Sequence, residues 1–225
     1  GEKGDPGDRG PRGEPGAPSR GPIFTDDDLQ LSLRTATIAP DGTTAVTFEV
    51  TDGEGRPLDI EGQLSEGEVD VRFVLAWLDE DAMGRPLYYR ALTRRNQTSP
   101  VTNATELQGS YDRGGTFMEL SPGVYRYTFS TAPTDVDRTK THTIYGFAER
   151  ETSEGEQVAN ADIDFRPDGR PVTVTRETVT DDACNSCHQG LAFHGGSRRD
   201  VKLCITCHDP DTVDPDTGKT ADMKV

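Results

Sequence analysis

Basic charge, aromatic residues and long apolar runs are all scarce in this chain. Its 24 Lys and Arg face 40 Asp and Glu, for a net charge of −16. A polyanion of that kind is repelled by nucleic-acid phosphates and by anionic membrane surfaces, so neither is a partner held by charge. Hydrophobic residues make up 32% of the chain, aromatics 7%, and mean hydropathy is −0.70, so the core is modest and much of the chain is loop. No run approaches the roughly 18 apolar residues that span a bilayer as a helix. There is no initiator Met and no signal peptide, which reads as a processed or excised chain. Nor is there a phosphate-cradling glycine loop or a nucleophile elbow.

Cysteine is scarce too, but it is not scattered. All four cysteines and three of the four histidines fall in CNSCHQGLAFHGGSRRDVKLCITCH, residues 184–208. Two Cys-x-x-Cys pairs separated by sixteen residues are compatible with three chemistries. Four thiolates at this spacing suit a closed tetrahedral zinc ribbon. An even number of cysteines in an exported chain suits two disulfides. Cys-x-x-Cys-His is the attachment signature of c-type haem. The residue after each pair separates them: His188 follows Cys184 and Cys187, and His208 follows Cys204 and Cys207. A four-thiolate zinc site has no use for either histidine, and with this composition chance puts both there roughly once in a few thousand sequences. Haem c needs both, since two thiols one helical turn apart add to the porphyrin and the adjacent imidazole meets the iron. The reading is two haem c groups in this chain, with a zinc ribbon as the rival. A Cys-His catalytic pair finds no free cysteine on this account.

His194, in FHGGSRR, is read as a distal axial ligand to one of the two irons, and Gly195-Gly196 behind it as a turn with positive φ or a close approach to a porphyrin edge. Arg198, Arg199 and Lys202 are candidate partners for haem propionates, against a plain solvated surface. His142, far upstream in KTHTIYGF, reads as a half-exposed strand histidine rather than a ligand. Met83 and Met118 read as packing or near turns. DPDTVDPDTG, residues 209–218, lacks the EF-hand pattern and its final glutamate, so it reads as a solvated loop.

The N-terminus has glycine at 1, 4, 7, 10, 13 and 16 with four prolines among the other positions, a collagen-like Gly-x-y period over residues 1–22. Six triplets are too few for a stable triple helix alone, so the segment reads as an extended stalk. Residues 23–178 read as β-structure. Strand-like runs lie at 29–38, 43–51, 69–78, 86–92, 123–130, 142–149 and 171–178, separated by APDGT, DGEGRP, DAMGRP, SPG and RPDGRP. Tyr125, Tyr127 and Phe129 share one face at period two, and Trp77 reads as core. The expected fold is mainly β, an antiparallel sandwich or Greek-key barrel, followed over 179–225 by a loop-rich dihaem segment.

CNSCHQGLAFHGGSRRDVKLCITCHDP, continued by TVDPDTGKTADMKV, resembles the OmcA/MtrC family of outer-surface decahaem c-type cytochromes, and GVYRYTFS and THTIYGF resemble the end of that family's first β-domain. The resemblance implies an exported protein of the bacterial outer-membrane surface, or alternatively the periplasm, with a lipid anchor upstream of residue 1. It implies electron transfer to metal oxides, soluble shuttles or partner cytochromes rather than a classical enzyme, although an open iron site would permit terminal metal reduction. It assigns Cys184, Cys187 and His188 to one haem and Cys204, Cys207 and His208 to the next, and it favours an axial role for His194. Low reduction potentials are expected from acidic surroundings and bis-imidazole ligation. The rival reading is an adhesion or binding module with a β-sandwich head and a zinc-ribbon tail.

Overall fold

The computed structural model describes residues 29–176, 179–188 and 191–221, with the backbone alone at 184 and 186–188. The Gly-x-y segment and the first residues of the β-region lie outside the described residues. Among the described residues, ten strands form two four-stranded antiparallel sheets and a separate hairpin. The first sheet has the order β1 (Gln30–Ile38), β2 (Thr44–Thr51), β8 (Val124–Thr128), β7 (Thr116–Ser121). The second runs β10 (Gly155–Phe165), β9 (His142–Thr152), β3 (Val69–Glu80), β4 (Pro86–Ala91). β5 (Arg94–Thr98) and β6 (Thr105–Gly109) make the hairpin. The expected antiparallel, mainly β fold holds as a sandwich.

Period-two patterning builds the space between the sheets. In β2, Thr44, Val46, Phe48 and Val50 point inward and alternate with half-exposed residues. Tyr125 and Tyr127 on β8, with Phe129 just beyond it, do share a buried face. Phe73 sits at the centre, its ring centroid 5.1 Å from those of Phe48 and Tyr127.

The second sheet departs from simple alternation. From Phe73 to Ala76 on β3, and from His142 to Ala148 on β9, every residue is buried. Phe73, Leu75, Ile144 and Ala148 face the first sheet. Val74, Ala76, Leu78, Tyr145 and Phe147 face the other way, onto helix α2 (Val201–Cys207), and are met by Val201, Leu203 and Ile205. The sheet is thus the middle layer, with a helix from the cysteine-rich segment as the third. Burying each such aliphatic side chain favours the docked state by roughly 1.5–3 kcal/mol.

Several strand readings change. β5, β6, β7 and β10 carry no clean alternation, β7 being exposed along its whole length, and they form through pairing rather than patterning. The run at 171–178 is not a strand: residues 171–176 lie in no ladder, and 177–178 are outside the described residues. β10 already takes the free edge of β9, so Val174 instead packs on the α2 side while its carbonyl accepts a 2.6 Å bond from the Thr141 hydroxyl. Trp77 is only half-buried. His142 is fully buried rather than half-exposed, its Nδ1 3.1 Å from the Lys140 carbonyl, and burial lowers its pKa.

Asp112, between β6 and β7, ties the end of the first sheet together. Its carboxylate accepts from the Tyr127 hydroxyl at 2.8 Å, from the Ser130 amide and hydroxyl at 2.9 and 2.8 Å, and from the Thr131 amide and hydroxyl at 3.0 and 2.7 Å. Burial pushes the group up, but these donors outweigh it and hold its pKa below the ordinary carboxylate range. A depressed folded-state pKa contributes stability that is complete above the unfolded value, near 4, and is lost as pH falls through the folded value. Asp112→Ala leaves buried donors unmet and is expected to cost on the order of 3 kcal/mol. In urea titrations the wild-type midpoint should fall below pH 4 more steeply than that of Asp112→Asn.

Candidate functional site

Helix α1 (Asp181–His188) carries the first cysteine pair. It starts at Thr180, whose carbonyl accepts from the Ala183 amide at 3.0 Å, and after it the Asn185 carboxamide accepts from the Leu191 amide at 2.8 Å, turning the chain. The backbone puts positions 184 and 187 one turn apart on one helix. The side chains of Cys184, Cys187 and His188 lie outside the described residues.

The second pair is fully visible. Asp200 caps α2 by accepting from the Lys202 amide at 2.7 Å, and Asp181, the first residue of α1, accepts from the Val201 amide at 2.8 Å. The apolar side of α2 faces the sheet, and Cys204 and Cys207 open into a cleft whose enclosed part is about 140 Å³. His208 ends the helix, its amide donating to the Cys204 carbonyl at 2.8 Å. Its Nδ1 donates to the Ala221 carbonyl at 2.9 Å, which fixes the tautomer and leaves the Nε2 lone pair free for a metal.

His194 is brought to the same cleft. Phe193 and Arg198 pair across a tight turn, with 3.1 and 3.3 Å bonds between their backbones. Asn160 on β10 pins that turn, donating to the Ser197 carbonyl and accepting from the Arg199 amide, both at 2.9 Å. The turn needs positive φ at His194 (52°), Gly195 (86°) and Gly196 (106°), the property expected of the two glycines. The His194 and His208 rings then face one another, centroids 6.0 Å apart and planes 31° apart. Two imidazoles that meet one metal from opposite sides, each nitrogen about 2 Å from the ion, hold their centroids roughly 6 Å apart. The residues present therefore fit an iron with two axial histidines.

The cleft floor is apolar, formed by Val74, Phe147 and Leu203, and Arg95 and Arg198 stand beside it. Burial pushes the Cys207 thiol up to about 12, against the pull of Arg198. It also raises Cys204, helped by Asp200 and Asp181. Burial, then Arg198, His208 and Arg95, lowers His194 and keeps its imidazole neutral. Neutral sulfur is what a thioether leaves here, whereas thiolates would place negative charge in an apolar wall.

The other candidates behave differently. Lys202 is spent on the β-domain, bonding Asp164 at 3.0 Å and also Asp162. Arg199 donates to the Gly196 carbonyl at 2.9 Å. His142 shares strand β9 with Phe147 but lies five residues upstream, about 16 Å along the strand. Met83 is exposed at a turn, and Met118 is exposed on β7. The 209–218 segment is docked rather than solvated at its start: buried Asp209 accepts from the Ala91 amide at 2.8 Å and pairs with Arg94. Further along it, the Val213 carbonyl accepts from Gln108 and the Pro215 carbonyl from Thr102, each at 2.9 Å.

Arg95, Phe147 and Gly109 had no local sequence signal, because the β5–β6 hairpin and β9 reach the cleft only in three dimensions. A Cβ at Gly109 would lie 2.5 Å from the Cys207 carbonyl oxygen and 2.8 Å from its Cα, so only glycine lets the hairpin approach α2 this closely. Gly109→Ala is expected to destabilise the chain by about 1–3 kcal/mol, as overpacking does. The urea midpoint checks this, and hydrogen exchange should rise first at the amides of α2 and the 209–218 loop.

Comparison with known proteins points the same way. Residues 176–225 match the family model described as outer membrane cytochrome MtrC/MtrF-like, domains II/IV. The multiheme cytochrome MtrC of Shewanella baltica (strain OS185) is 37% identical over 105 residues, which is 42% of this chain and 16% of that protein. The crystal structure of MtrC from Shewanella baltica OS185 aligns with 83% of this chain at TM-score 0.57 and 26% identity, and covers 30% of that chain. The outer membrane decaheme cytochrome OmcA shares the fold over 89% of this chain at TM-score 0.69 and 24% identity, and 33% of that chain. The chain thus spans a third or less of the length of these relatives. Fold, paired Cys-x-x-Cys-His motifs and relatives together make this chain similar to multihaem cytochromes of the outer membrane. The likeness to the MtrC/MtrF cytochrome family is carried by residues 176–225, the segment that holds both cysteine pairs.

Proposed function

We propose that this chain is an electron-transfer segment carrying two covalently held haem c groups, within a surface cytochrome that passes electrons to metal oxides, shuttles or partner cytochromes. The observation that carries the reading is the facing pair His194 and His208 across a cleft lined by Cys204 and Cys207. Haem c supplies one-electron chemistry when bound. Cys204 and Cys207 hold the macrocycle through two thioethers, one turn apart on α2. His208, its Nδ1 proton engaged by Ala221, would offer Nε2 to the iron, and His194 would supply the second imidazole. Val74, Phe147 and Leu203 keep water from the buried edge, and Arg95 and Arg198 supply positive charge for propionates. Cys184, Cys187 and His188 are assigned the corresponding roles for the first haem. The organisation proposed with it is a stalk over 1–22, a β-domain over 23–178 and the haem segment from 179 onward.

A pyridine haemochrome spectrum of the full chain, matured with cytochrome c assembly factors, should give two c-type haems per chain. Zinc without iron would replace this reading with a zinc-ribbon binding module. His194→Ala should turn one of the two haems from low to high spin in the visible spectrum, while His142→Ala leaves both low-spin.

A further inference from the structure

In a chain with 40 acidic and 24 basic residues, arginines gather beside one cleft. The Arg198 guanidinium lies 4.2 Å above the Phe147 ring, and Arg113 lies 4.4 Å above Tyr111. Arg72 bridges both rings at 5.0 and 5.9 Å, and Arg95 enters from the hairpin. Arg72 is paired with Asp70. Among the described residues none of Arg95, Arg113 and Arg198 makes an ion pair, although Arg34, Arg56, Arg85, Arg90, Arg94 and Arg166 each hold a carboxylate within 4.0 Å. Acids also bear on this site, Asp200 and Asp181 acting on Cys204 and Asp209 on Cys207. Asp209 is taken by Arg94, and Glu149 stands alone against Arg72 and Arg198.

We propose that Arg95 and Arg198 raise the reduction potential of the haem held on α2, so that the β5–β6 hairpin and the pinned turn act together as its electrostatic tuner. The inference rests on the electron-transfer reading above. Reduction adds one negative charge to a haem, so fixed positive charge in a partly dry cleft favours the ferrous form.

The test is a spectroelectrochemical titration of the full haem-loaded chain. In Arg95→Gln and in Arg198→Gln one midpoint should fall, with a several-fold lower ratio of reduced to oxidised haem at a fixed potential, while the other midpoint stays. Arg95→Lys should keep most of the wild-type value, and raising the salt should shrink the difference between wild type and Arg95→Gln. Arg126→Gln, the same charge change on the exposed face of β8, should move neither midpoint. Unchanged midpoints in the Arg95 and Arg198 variants, or equal falls in both haems, overturn the inference and leave the electron-transfer reading intact. Absence of a c-type α-band in the wild type overturns that reading itself. If Arg198→Gln does not fold, exposed Arg95 decides the matter alone.

Discussion

The contact on which the rest of this molecule depends is the packing of a seven-residue helix on the outer face of a β-sheet. A helix that short is not stable in water by itself, and α2 exists because Val201, Leu203 and Ile205 find Val74, Ala76, Leu78 and Tyr145 already fixed in the sheet. The dependence runs both ways. β3 and β9 are apolar on both faces, a composition that a two-layer sandwich would leave half in solvent. The cysteine-rich segment is therefore the third layer of one folded body, and the β-domain is its floor.

That arrangement explains why the site is assembled from distant parts of the chain. The helix brings the cysteines and His208, a pinned turn brings His194, and the β5–β6 hairpin with β9 brings Arg95 and Phe147. Each piece is held by a hydrogen bond between a side chain and the backbone: His208 to the Ala221 carbonyl, Asn160 to the His194 turn at Ser197, and the Gly109 amide of the hairpin to the Thr212 hydroxyl.

What was legible in the sequence follows physical rules that act locally. The Cys-x-x-Cys-His motifs are chemistry written in consecutive residues, and the alternation of Val46, Phe48 and Val50 is the pleat itself. The Gly195-Gly196 turn announced its positive φ. Features set by competition between segments were not legible. PVTVTR alternates as well as any strand, yet β10 had already claimed the edge it needed. The exposed strand β7 has no inward face to pattern. His142, Asp209 and Lys202 look like surface residues in a polar chain, and their burial or pairing comes from neighbours far away in sequence.

The bond from the Val201 amide to Asp181 joins the first residue of one attachment helix to the first residue of the other. The two helices are thereby clamped end to end, and thermal motion carries them together instead of opening a gap between them. Transfer between two redox centres decays steeply with the gap that separates them. In the proposed electron-transfer role, a single carboxylate oxygen would work as the fixed stop on a ruler, keeping the length of one hop constant.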